Sequence, residues 1–183
     1  MATVNKNTLL DTLENRVEGH LQQAIQIFQN LPAATLLQPA ATGGWSIAQC
    51  LQHLNAYGHY YLPAIANGLT QNAGKAAAAT FTSTWLGSYF TRIMDPATNQ
   101  KKYKAFKAYN PPLNLDAHAV VAEFIQQQEA LLLYLKSARS ADLNTIKISV
   151  SIARWLKLRL GDVLQFVIAH NQRHMLQAQR NLA

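Results

Sequence analysis

The stretch GDVLQFVIAHNQRHMLQ, residues 161–177, decides the fold. At about 100° per residue it places Val163, Phe166, Val167, His170, His174 and Gln177 on one face. The stretch therefore reads as a helix whose inward stripe carries two imidazoles near its centre. Three further stretches repeat that period. A first helix is expected over about residues 8–30, with Leu10, Leu13, Val17, Leu21, Ala24 and Phe28 inward and Pro32 just beyond. A second starts at Ser46, which with Gln49 makes a capping box. It sets Ile47, Leu51, Leu54, Tyr61 and Ile65 on one side, bends at Pro63 and stops at Gly68. The third begins at Asn114 or Asp116, turns Val121, Phe124, Ile125, Leu132 and Leu135 inward, and ends after Lys136.

No segment sustains the two-residue alternation of a half-buried strand, so the expected class is all-α: a four-helix bundle forming one domain over residues 1–183. Residues 69–113 separate helices two and three. They hold an alanine run, a short helix expected over 84–94, and the stop Pro111-Pro112. A connection this long can travel back along the bundle, which makes helices two and three parallel and the order up-down-down-up.

Composition narrows the function classes. With 49% hydrophobic and 14% charged residues in 183, the chain can bury a substantial core, and disorder is excluded. It has no apolar run able to cross a bilayer and no apolar leader, so a cytoplasmic location and no membrane partner are expected. A single cysteine, Cys50, excludes an intrachain disulfide and a cysteine-only zinc cage. On the core side of helix two it reads as a small packing residue. The net charge of +7 is scattered. Arg92, Lys101, Lys102, Lys104 and Lys107 fall in one connection, while Lys136, Arg139, Lys147, Arg154, Lys157 and Arg159 surround another. Without a basic motif these read as solvated rims; nucleic acid is not expected, and an anionic small molecule fits as substrate. A homodimer through an exposed helix face is compatible with the pattern.

Residues His170 and His174 stack one turn apart, close enough to share one ion, yet hydrogen-bonded core histidines are commoner than ligands. The intervening Asn171-Gln172-Arg173 lacks the glutamate of a metalloprotease helix. His53 sits at the edge of helix two's apolar stripe beside Tyr57, whereas His59 faces the opposite side. Gln128, near the centre of helix three's inward stripe, needs a partner: a ligand, or equally a backbone group. His20 borders helix one's apolar face. Tyr57, Gln128 and His20 are the pocket candidates, and no general base beside the histidines stands out.

Gly44-Trp45-Ser46, with His53-Leu54 on the ensuing helix, and the last helix from Leu164 to His174 resemble the DinB/YfiT-like superfamily of metalloenzymes. The resemblance implies that a histidine of helix two and an H-x-x-x-H pair of the last helix bind metal, which maps onto His53, His170 and His174. Three neutral imidazoles leave an open coordination position, the arrangement of a catalytic ion, for which zinc or nickel is suited. Relatives that use low-molecular-weight thiols make a thiol S-transferase acting on a small electrophile the leading expectation. A metal-dependent hydrolase of a small ester or amide and a non-catalytic metal-binding bundle are the alternatives. Arg154, Lys157 and Arg159 are candidates to hold a co-substrate's carboxylates. Residues 151–160 are more basic than the family's proline- and glycine-containing lead-in, and the 69–113 insert is alanine-rich; both rim the pocket and leave the substrate open.

Overall fold

In the computed structural model, residues 3–41 and 43–182 are described; Met1, Ala2, Thr42 and Ala183, which the expected 1–183 domain includes, lie outside the described residues. The elements are β1 (Thr3–Asn5), α1 (Lys6–Gln26), α2 (Ala33–Leu37), α3 (Ile47–Gln71), β2 (Thr80–Thr82), α4 (Trp85–Met94), α5 (Ala117–Ala138), β3 (Lys147–Val150), β4 (Ala153–Arg159) and α6 (Leu160–Gln179). Helix α3 packs on α5 and α6, and α1 closes the bundle against the same two. Two contiguous clusters fill the interior. One is centred on Leu10, Ile65, Leu131, Leu135 and Val163. The other is centred on Phe28, Leu51, Phe124 and Met175. Burying each such side chain contributes about 1.5–3 kcal/mol, which is what holds helices of modest intrinsic propensity together.

Caps explain the helix ends. Asn5 accepts from the Asn7 and Thr8 amides and starts α1 two residues before the expected position. Instead of reaching residue 30, α1 stops at Gln26 because the Asn30 amide takes the Ile25 and Gln26 carbonyls, and a 3₁₀ turn, Phe28–Asn30, follows. Ser46 and Gln49 form the expected capping box. Pro63 lies within α3, which continues through it and past Gly68. Gly68 is not a stop: a Cβ there would lie 3.0 Å from both Ile146 and Ile148, so its absence lets the segment carrying β3 approach. Asp116 accepts from the Ala119 amide and starts α5, as one of the two expected positions.

The expectation of a purely helical chain is corrected. Strands β1 and β2 pair antiparallel, as do β3 and β4, the latter with Ile148 opposite Leu158 and a bulge at Ser149/Val150. The alternation was present but brief: Ile148, Val150 and Leu158 are buried between solvated neighbours, a window too short to register against a chain of long helices. The bundle remains mostly helical. No helix among the described residues is long and apolar enough to cross a membrane.

Candidate metal centre

Helix α3 carries His53 in its second turn and α6 carries His170 and His174 one turn apart. Because the two helices pack directly, the three rings meet. One ring nitrogen from each lies within 4.8 Å of those of the others. His53 and His170 are nearly fully buried.

The hydrogen bonds fix which nitrogens are offered. His53 Nδ1 donates to the Tyr109 carbonyl at 2.8 Å and His174 Nδ1 donates to Gln177 Oε1 at 2.9 Å. In the neutral tautomer each ring therefore turns an Nε2 lone pair inward. His53 Nε2 faces His170 Nε2 at 3.2 Å. A neutral His170 spans that gap by donating its own Nε2–H to the His53 lone pair, and its other tautomer turns a second lone pair there, open to a cation. Burial disfavours the charged imidazolium forms. Desolvation, reinforced by His174 and His53, holds His170 well below the ordinary imidazole range. Desolvation and then His53 lower His174 to about 3. Burial lowers His53 too, against the opposing Tyr109 bond. The donor set fits a divalent ion: neutral nitrogens, two of the rings oriented by oxygen acceptors behind them, and, among the described residues, no fourth protein ligand in the cluster.

The cluster opens on a cavity of about 1250 Å³. Trp45 forms one side, its ring 4.8 Å from His53 and 5.7 Å from His174, and its carbonyl accepts from Asn181. Tyr57 forms another, 4.6 Å from His170 and stacked on Tyr109 at 4.1 Å. Burial, with Tyr109 and Tyr61 nearby, pushes the Tyr57 phenol well above its usual range, so it stays a hydrogen-bond donor. Gln128 and His20, read as pocket candidates alongside Tyr57, stand behind the wall: Gln128 accepts from Asn171 at 3.1 Å and His20 bonds Gln172, which does line the cavity. A buried amide on an inward stripe found a neighbouring side chain, the unspecific outcome for such a residue. Arg154, Lys157 and Arg159 are also outside the lining; Arg159 donates to the Thr82 carbonyl and ties the β4 end to β2. The lining cations come from elsewhere: Arg16, Lys102, Lys104, Arg173 and Arg180.

Sequence reasoning missed the acceptors. Gln177 had a signal, since it shares the face of His174 three residues on. The Tyr109 carbonyl had none, because a backbone group in a connection carries no residue type to read. Cys50 is fully buried, and desolvation raises its thiol to about 12, so it offers no nucleophile.

A family model described as the DinB superfamily matches residues 16–178. No curated protein matches the chain in sequence. Among solved structures, it is similar to YfiT from Bacillus subtilis, described as "a probable metal-dependent hydrolase with an unusual four-helix bundle topology", at a TM-score of 0.54 and 14% identity, over 96% of this chain and 85% of that one.

Proposed function

The chain belongs to the DinB superfamily, and from that premise we propose that it is a metal-dependent hydrolase of a small ester or amide, with His53, His170 and His174 holding one zinc or nickel ion. The observation that carries the reading is the convergence of three neutral imidazoles, without a fourth protein ligand among the described residues, at the wall of a large cavity. When bound, the ion supplies Lewis acidity, polarising a carbonyl and lowering the pKa of a ligated water toward neutrality. The protein's residues do the rest. Tyr109 and Gln177 hold two ligand rings in one tautomer and orientation. The rings of Trp45 and Tyr57 flank the cluster, and the Tyr57 phenol stays protonated. The cationic lining favours an acidic substrate. YfiT's description supports hydrolysis over the alternatives.

A thiol S-transferase is the second reading, favoured by size: the cavity exceeds the about 300–1,000 Å³ usual for one small ligand and has room for a thiol beside an electrophile. Metal-loaded protein tested against ester and amide panels separates them. Hydrolysis with a rate that rises through a pH near neutrality, and its loss in His170→Ala, is the expected result. No turnover, together with a sulfur-to-metal charge-transfer band on adding small thiols to the cobalt form, would replace it by the second reading.

The same proposal takes the bundle order as up-down-down-up. Asn55 bonds the Val120 carbonyl and Gly58 packs on Gln127, which suits parallel α3 and α5. His53 meets His174 and Tyr61 meets Phe166, which suits antiparallel α3 and α6.

A further inference from the structure

The wall of the cavity is chemically divided. From His170 toward the β3–β4 hairpin it is a run of rings and aliphatic groups. Phe166 lies 5.9 Å from His170, and Tyr61 and Phe90 flank Phe166 at 5.8 and 6.1 Å. Val150, Leu158 and Ile152 continue the surface to the rim. The hydroxyls of Tyr61 and Ser151 in this run engage each other's residue: Tyr61 accepts from the Ser151 amide at 3.1 Å and donates to the Ser151 hydroxyl at 3.4 Å. A site that recognised a sugar, a peptide or another polar body would present unspent donors and acceptors here, and this one presents hydrocarbon.

The remaining wall is polar and carries the five cations of the lining beside neutral amides such as Asn99, Gln100 and Asn181. Its one carboxylate among the described residues, Asp95, pairs with Arg16 at 3.1 Å. Arg173 spends its guanidinium on the carbonyls of Ile93, Met94, Asn99 and Lys101. Lys102, Lys104 and Arg180 make no ion pair among the described residues. Apolar surface of this extent is hydrated at a cost that a chain of methylenes removes, and the unpaired cations await an anion.

We propose that the cavity takes an amphipathic anion, an alkyl or acyl chain lying along Phe166, Tyr61 and Leu158 with its anionic head toward Lys102, Lys104 and Arg180. This names the substrate class for the site read above as a hydrolase and rests on that reading only for turnover, not for binding.

Calorimetric titration with hexanoate, octanoate, decanoate and dodecanoate tests it, on metal-loaded protein and on His170→Ala. Affinity should rise about fourfold per added methylene. Decyltrimethylammonium should bind at least about tenfold more weakly than decanoate, a difference of about 1.4 kcal/mol. Decyl phosphate beside decanoate identifies the head, and tighter binding of either supports the proposal. Lys102→Ala/Lys104→Ala should weaken every anion while preserving the dependence on length, and Phe166→Ala should flatten that dependence. Ile152→Ser, at the half-exposed rim, serves where the Phe166 variant fails to fold. Affinity independent of length, or equal for cation and anion, overturns the proposal. Chain-length-dependent binding without ester turnover would leave it standing while removing the hydrolase. Turnover of short esters with length-independent binding would do the reverse.

Discussion

Adding zinc or nickel to metal-free protein should raise its Tm, and His170→Ala should abolish that rise. The structure sets the size. The three nitrogens already lie within 4.8 Å of one another, so the folded chain presents a formed site that the unfolded chain lacks. Binding to the folded state alone adds RT ln(1 + [L]/Kd), about 2.7 kcal/mol when the free ion is a hundredfold above Kd. In a chain of 183 residues each kcal/mol moves Tm by about 2–4 °C, giving a rise of about 5–11 °C. The assay is thermal unfolding at graded metal, with bound metal counted by elemental analysis. His59→Ala is the control, because that ring is largely exposed and pairs with Glu123 away from the cavity; it should keep the full shift and one ion per chain. A Tm that ignores metal at full occupancy, or a shift that survives in His170→Ala, would refute the idea that these rings are a preformed ligand set.

Three other outcomes follow from the surroundings. Gln177→Leu leaves His174 without its Nδ1 acceptor and should weaken metal affinity about 10- to 100-fold in a chelator competition, with the stoichiometry unchanged. His20 is lowered to about 4 by burial, opposed by its Gln172 bond and assisted by Arg16. Above pH 6.5 the ring is neutral folded or unfolded; between 6.5 and about 4 only the unfolded chain takes the proton; below about 4 both do. Stability should therefore fall by up to about 3 kcal/mol across that window, and denaturant melts of His20→Gln should lack this share of the fall. Arg173→Lys cannot span four carbonyls, so it should cost about 1–3 kcal/mol and speed amide exchange across residues 93–103, a change absent if the guanidinium only decorates the surface.

How far each feature could be read from the sequence follows from the range of the interaction that makes it. The caps at Ser46 and Asp116 involve residues three apart, so side-chain type alone places the first of these helix starts and narrows the second to Asn114 or Asp116. The facing of His170 and His174 rests on the helical period and was equally legible. That His53 joins them depends on how α3 meets α6, which periodicity on one helix cannot fix, and the family likeness was needed. Gly68 misled for the same reason: glycine ends helices locally, but here it answers to Ile146 and Ile148, almost eighty residues on. The hairpin was lost because its apolar partners alternate over only a few residues.

The cavity was the least legible feature, because much of its wall comes from the long connection rather than from the bundle. Arg173, set between the two histidines of α6, reaches out of the helix to four carbonyls at the end of α4 and beyond it. It thereby pins Asn99 and Lys101, and with them Lys102 and Lys104, beside the ligand face. Tyr109 lies further along the same connection and orients His53. The insert thus supplies both a ligand acceptor and part of the charge of the pocket, while the helices supply the imidazoles. On this division of labour, exchanging the connection should change what binds without displacing the three rings, provided that the replacement keeps a carbonyl opposite His53 Nδ1 and a seat for the Arg173 guanidinium.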